Sequence, residues 1–156
     1  MVTFFFLKNK NMECGECTLC CDLFPVKWLN KPANTKCVHC DLGCKIHDTK
    51  PAECTDFDCA YVQMENIPID LRPDKCGIIF EKLDDKIFYG TVNHNAKISD
   101  FGKGQINAFL KQGYSVILAS LKEKEPKFFI NEEHNEKEIR NEFTKHINLR
   151  YGTVRN

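Results

Sequence analysis

The sequence predicts an α+β protein in two parts, a loop-rich cysteine lobe followed by a small antiparallel sheet with helices in the order ββαββα. Three observations carry this reading. Nine of the ten cysteines fall between Cys14 and Cys59, and only Cys76 lies outside. Beyond residue 62 the cysteines thin out and ordinary strand and helix periodicities begin. Residues 12–62 hold five lysines against eight carboxylates, a net charge of −3, with few aliphatic side chains to form a core. The expected divisions are therefore a cysteine lobe over 12–62 and an α+β lobe over 63–156, either separate or integrated into one domain. Residues 1–11 read as an arm or as an edge strand over 2–7.

In the second lobe, residues 77–81 and 86–92 are β-prone runs joined by an acidic turn at 83–85, a hairpin. Ser99 or Asp100 can cap a helix over 103–112, with Ile106, Phe109 and Leu110 on one face and Gly113 as its stop. Residues 114–120 form a second β-prone run. The chain then turns at 122–126 and pairs back over 127–130. A helix over 132–149 closes the lobe, with Ile139, Phe143 and Ile147 recurring every fourth residue as a buried stripe. The helices are expected on one face of the sheet.

The composition excludes several classes. At 42% hydrophobic and 28% charged, the 156-residue chain is globular and neither disordered nor fibrous. Lys plus Arg and Asp plus Glu each total 22, so no polyanion-binding surface is advertised, and nucleic acid is not expected as a partner. The tail from residue 143 carries Lys145, Arg150 and Arg155 without an acid and reads as a solvated basic end. The apolar opening over 2–7 is too short for a signal peptide or a membrane span, so the expected compartment is the cytoplasm. Thiols stay reduced there, which favours metal ligation over disulfides.

The cysteines stand in three blocks. The first is Cys14-Gly-Glu-Cys17-Thr-Leu-Cys20-Cys21. Were it helical from Cys14, Cys14, Cys17 and Cys21 would share a face and Cys20 would point roughly 60° further round. Vicinal side chains diverge, so Cys20 and Cys21 serve two centres or one of them is spare. The second block is Cys37-Val-His-Cys40-Asp-Leu-Gly-Cys44-Lys-Ile-His47, and the third is Pro51-Ala-Glu-Cys54-Thr-Asp-Phe-Asp-Cys59. The expected metal ligands are Cys14, Cys17, Cys20, Cys21, Cys37, Cys40, Cys44, Cys54 and Cys59. This supply suits two four-ligand zinc sites or one [4Fe–4S] cluster with thiols to spare. Lys27, Lys36, Lys45 and Lys50 would partly offset the negative charge of either.

The run C-x-x-C-x-x-C-C, then C-x-H-C-x-x-x-C-x-I-H and K-P-x-x-C-x-x-F-x-C, resembles the CxxCxxCC cysteine-cluster (YkgJ-like) family of zinc- or iron-chelating proteins. The likeness covers residues 14 to about 61. Arg72-Pro-Asp-Lys-Cys-Gly-Ile-Ile-Phe and residues 105–119 look like a subgroup of that family. The resemblance implies a metal-chelating module, and the function expected of this chain is one in which the metal is mainly structural and the module auxiliary or partner-binding, presenting a surface to a protein partner. Flagellin lysine N-methylases resemble the same cluster, which supplies the alternative: an iron–sulfur enzyme or redox protein, with methyl transfer as one variant. This chain departs from the pattern at His47 (family Tyr), Lys50 (family Arg before Pro) and Thr55 (family Arg). Lysine cannot reproduce the paired hydrogen bonds of a guanidinium fork.

Other signals have plainer readings. His39 between two cysteines reads as a hydrogen-bonding residue, and His47 stands between ligand and bystander. Cys76 reads as a buried residue opening a strand. His94, His134 and His146 show no partner pattern and read as surface residues. Gly102-Lys-Gly104 lacks the preceding strand and the spacing that a phosphate loop needs.

Overall fold

The computed structural model describes residues 15–57, 59–123 and 125–151. Cys14 and the expected arm or strand over 1–11 lie outside the described residues. In chain order the elements are α1 (Leu19–Leu23), α2 (Ala52–Thr55), α3 (Ala60–Gln63), α4 (Pro73–Cys76), β1 (Ile78–Lys82), β2 (Ile87–Val92), α5 (Asp100–Lys111), β3 (Ser115–Ala119), β4 (Lys127–Phe129) and α6 (Glu136–Tyr151). Single 3-10 turns at Lys27–Leu29, His47–Thr49 and Ile69–Leu71 complete the regular structure. The protein is α+β, and from β1 onward its order is the expected ββαββα.

The sheet has the order β1-β2-β3-β4. It is mixed, not antiparallel throughout as expected. β1–β2 and β3–β4 are antiparallel, whereas β2 pairs with β3 in parallel, Phe88 opposite Val116. The cause is α5, a crossover helix that returns the chain so that β3 enters beside β2 in the same direction. Ser99 caps this helix by accepting a hydrogen bond from the Gly102 N–H at 3.1 Å. Gly102 and Gly104 both lie inside α5, away from any strand-to-helix phosphate loop.

The helices cover both faces, which corrects the one-face expectation. On one face Ile78, Phe80, Phe88, Val116 and Leu118 pack with Ile106 and Phe109 of α5. Phe88 stacks on Phe109 with centroids 3.8 Å apart. On the other face Ile87, Tyr89 and Ile117 pack with Ile139 and Phe143 of α6. Val116, Ile117 and Leu118 are consecutive and all buried, so β3 needs cover on both sides. α6 begins four residues later than expected. The Asn131 side chain first accepts from the Glu133 N–H in a turn, and the Asn135 side chain then accepts from the Glu138 N–H.

The cysteine-rich segment clasps edge strand β1 from both faces. Leu19 and Leu23, one helical turn apart on α1, pack on Ile79, while Ala60 of α3 joins Ile78 and Phe80 on the opposite face. Among the described residues no helix is long and apolar enough to cross a membrane.

Candidate metal centre

The first cysteine block is not one helix. Gly15 has φ +57°, a left-handed conformation that a right-handed helix cannot contain, and α1 starts only at Leu19. The helical phase expected for Cys14 and Cys17 therefore does not apply. Within α1, Leu19 and Leu23 face the sheet, and this fixes where Cys20 and Cys21 point. Cys20 packs beside the Leu19–Leu23–Ile79 cluster together with Cys17 and Cys59. The Cys21 thiol meets those of Cys20 and Cys40.

The second block is held by turn hydrogen bonds. The Cys40 N–H donates to the Cys37 carbonyl at 3.0 Å, and the Lys45 N–H donates to the His39 carbonyl at 2.8 Å. Cys40 and Cys44 form an antiparallel bridge. The Cys37 N–H donates to the Cys21 carbonyl at 3.0 Å, which docks this loop on α1. In the third block Pro51 precedes α2, which presents Cys54 where it is influenced by Cys21, Cys44 and Cys37. Glu53 anchors α2 by accepting from the Lys27 N–H at 2.7 Å. Thiols from all three blocks thus lie near enough to influence one another, with Cys21 common to each of these interactions.

Their surroundings favour the protonated form of three of these thiols, Cys21, Cys40 and Cys54, in the absence of a cation. The hydrogen bond with Cys20, followed by burial, drives the Cys21 thiol far above its ordinary value. Burial, followed by the interaction with Cys21, pushes Cys40 up to about 11. Burial also raises Cys54, with Cys21, Cys44 and Cys37 adding to it. Neutral thiols are poor metal ligands, so a cation must displace their protons.

Positive charge stands beside the sulfurs. Lys31 is only 8% exposed, and its ammonium donates to the carbonyls of Phe24 and, at 3.4 Å, Pro32. Burial lowers its pKa, and Cys37 and Cys21 oppose that shift. At Cys17 the neighbour is a guanidinium. Arg72 forks onto Asp74 with bonds of 2.6 and 2.8 Å, and both side chains interact with Cys17. Asp74 is held below its ordinary carboxylate value by this pairing.

The arrangement is gathered but open. A tetrahedral zinc holds its thiolate sulfurs about 3.8 Å apart, from Zn–S bonds of about 2.3 Å. No three described thiols lie mutually within 4.8 Å. Thiolates are donors that zinc accepts, and a single ion bound by three or more of these sulfurs requires them to approach more closely than they do here. His47 is exposed, its ring 3.5 Å from the Lys50 ammonium and 3.8 Å from the Asp48 carboxylate. His39 is half-buried and contributes its backbone carbonyl. Cys76 ends α4 instead of opening a strand, and its thiol donates to the Ile78 and Leu71 carbonyls at 3.3 and 3.5 Å.

Lys31 and Asp74 were not legible as parts of the site, because neither spacing nor periodicity marks a buried counter-charge. His146, read as a surface residue, is half-buried and 3.1 Å from Asp84. His134 lies 2.8 Å from the hydroxyl of Ser115. Comparisons with protein-family models, curated proteins and solved structures find no match to this chain. The likeness to the cysteine-cluster family rests on the quoted motif residues alone.

Proposed function

We propose that this chain is a metal-binding protein of the CxxCxxCC type, working in a reducing, cytoplasmic setting, whose metal is mainly structural and whose cysteine lobe serves a protein partner. One observation carries the reading: Cys20, Cys21, Cys37, Cys40, Cys44 and Cys54 come from three separate blocks, yet Cys21 hydrogen-bonds with Cys20 and Cys40, and Cys54 is influenced by Cys21, Cys44 and Cys37. Zinc or a [4Fe–4S] cluster would be held by thiolates drawn from Cys17, Cys20, Cys21, Cys37, Cys40, Cys44, Cys54 and Cys59, with Cys14 completing the motif. When bound, such a group supplies cross-links between loops that lack a hydrophobic core of their own. Lys31 provides nearby positive charge for the thiolates, and the Arg72–Asp74 pair orients Cys17.

Trp28, Val38 and Leu42 support the partner reading. They are 70%, 87% and 88% exposed, and all belong to the loops that the sulfurs would tie down. Fixing those loops would fix the positions of these three exposed apolar side chains.

The test is elemental analysis and free-thiol counting on protein purified without oxygen. Bound metal with reduced thiols is expected. A colourless zinc protein supports the structural role. A brown, oxygen-labile protein moves the assignment to the iron–sulfur reading and its redox or enzymatic chemistry. Paired disulfides with no metal overturn both.

A further inference from the structure

We propose that Asp84, Glu142 and His146 form a second, sulfur-free site for a divalent transition-metal cation. One donor atom from each lies within 4.8 Å of the other two. All three residues are half-buried, and none belongs to the cysteine blocks.

The two elements that supply these donors are firmly placed. Asp84 lies in the β1–β2 turn, where its Oδ1 accepts the N–H groups of Lys86 at 2.7 Å and Ile87 at 2.9 Å. That leaves Oδ2 facing His146 Nε2 at 3.1 Å. Glu142 and His146 are four residues apart on α6 and so share one side of the helix. Their helix is fixed by Ile139 and Phe143 in the core and by the ion pair of Arg150 with buried Glu81. Lys145 pairs with Glu142 at 2.7 Å, a surface contact that a cation can displace.

Two carboxylates and one imidazole are oxygen and nitrogen donors, suited to Zn²⁺, Mn²⁺, Fe²⁺ or Co²⁺ and distinct from the soft sulfur set. Metal–ligand bonds of about 2.0–2.2 Å place neighbouring donors about 3–3.5 Å apart. The Asp84–His146 separation already matches, and Glu142 needs a rotamer adjustment. A seated cation takes the Nε2 lone pair, with the ring hydrogen on Nδ1. Three protein ligands leave a position open for water or a small anionic ligand.

Equilibrium dialysis of the full-length, anaerobically purified protein against zinc tests the site. Glu142→Gln and His146→Ala should each bind one equivalent fewer than the unaltered protein, whereas Cys54→Ser should lose metal only from the sulfur centre. Glu142→Gln changes one partly exposed atom, so unchanged circular dichroism in that variant separates site loss from misfolding. With Co²⁺ as probe, the difference spectrum between the unaltered protein and Glu142→Gln should show weak visible bands without near-ultraviolet sulfur-to-cobalt absorption. Equal metal content in the unaltered protein and both variants, or a difference spectrum carrying the sulfur band, overturns the proposal. Failure of the sulfur centre would appear separately, as unchanged metal content in Cys54→Ser.

Discussion

Cys21 and Lys31 show how the proposed centre is organised at the scale of single residues. Cys21 is reached by sulfurs on both sides, and Lys31 is a buried cation held by two carbonyls beside them. Replacing Lys31 with Met removes that positive charge and leaves both carbonyls without their ammonium donor. Metal affinity should fall about 10- to 100-fold, as for other residues that support a metal's ligands, and a competition assay with a chromophoric chelator reads it. Cys54→Ser should abolish one metal equivalent, while Cys76→Ser should retain full metal content because its side chain bonds only to local carbonyls. The pH dependence of the metal-free protein follows from the raised thiols. Cys40 moves from 9.0 to about 11 on folding, so the folded state holds its proton more tightly than the unfolded one. The associated stability is full below pH 9 and is lost as pH climbs through about 11. Metal binding runs the opposite way, strengthening as protons leave. Denaturation of the metal-free protein at pH 7 and pH 10 should therefore show lower stability at pH 10. Equal values would contradict the burial of Cys40.

At the scale of elements, the sheet depends on close packing that tolerates little addition. A Cβ on Gly90 in β2 would lie 2.5 Å from Leu118 Cδ2 and 2.7 Å from Ile78 Cγ2, inside the α5-facing core. Gly90→Ala should cost about 1–3 kcal/mol by thermal or urea unfolding, since both neighbours must shift. All four strands and both long helices were legible from β-branched runs, four-residue apolar spacing and the Ser99 cap. The parallel β2–β3 pairing was not, because apolar alternation reports which side chains are buried and says nothing of strand direction. Nor was the two-faced cover legible without noticing that three consecutive buried residues at 116–118 demand it. In the site, spacing identified the sulfur blocks. It could not reveal the left-handed Gly15 that breaks the first block, nor the pairing of His146 with a turn 62 residues away.

For the whole molecule, the cysteine segment and the sheet meet at β1, which Leu19, Leu23 and Ala60 grip from both sides. The rest of the sheet is packed chiefly by residues outside the three cysteine blocks: Phe88, Phe109 and Val116 on one face, and Ile117, Ile139 and Phe143 on the other. Loss of metal should thus release residues 15–57, loosen β1 at the contact, and leave β2, β3 and α5 folded. Structural zinc contributes on the order of 10 kcal/mol in isolated peptides, enough to decide whether so core-poor a segment is ordered. Hydrogen exchange on the full-length protein, loaded and then chelated under anaerobic conditions, measures this directly. The account predicts strong loss of protection over 15–57, partial loss in β1 and none in β2, β3 and α5. Unchanged exchange throughout, or equal loss in every element, would contradict it.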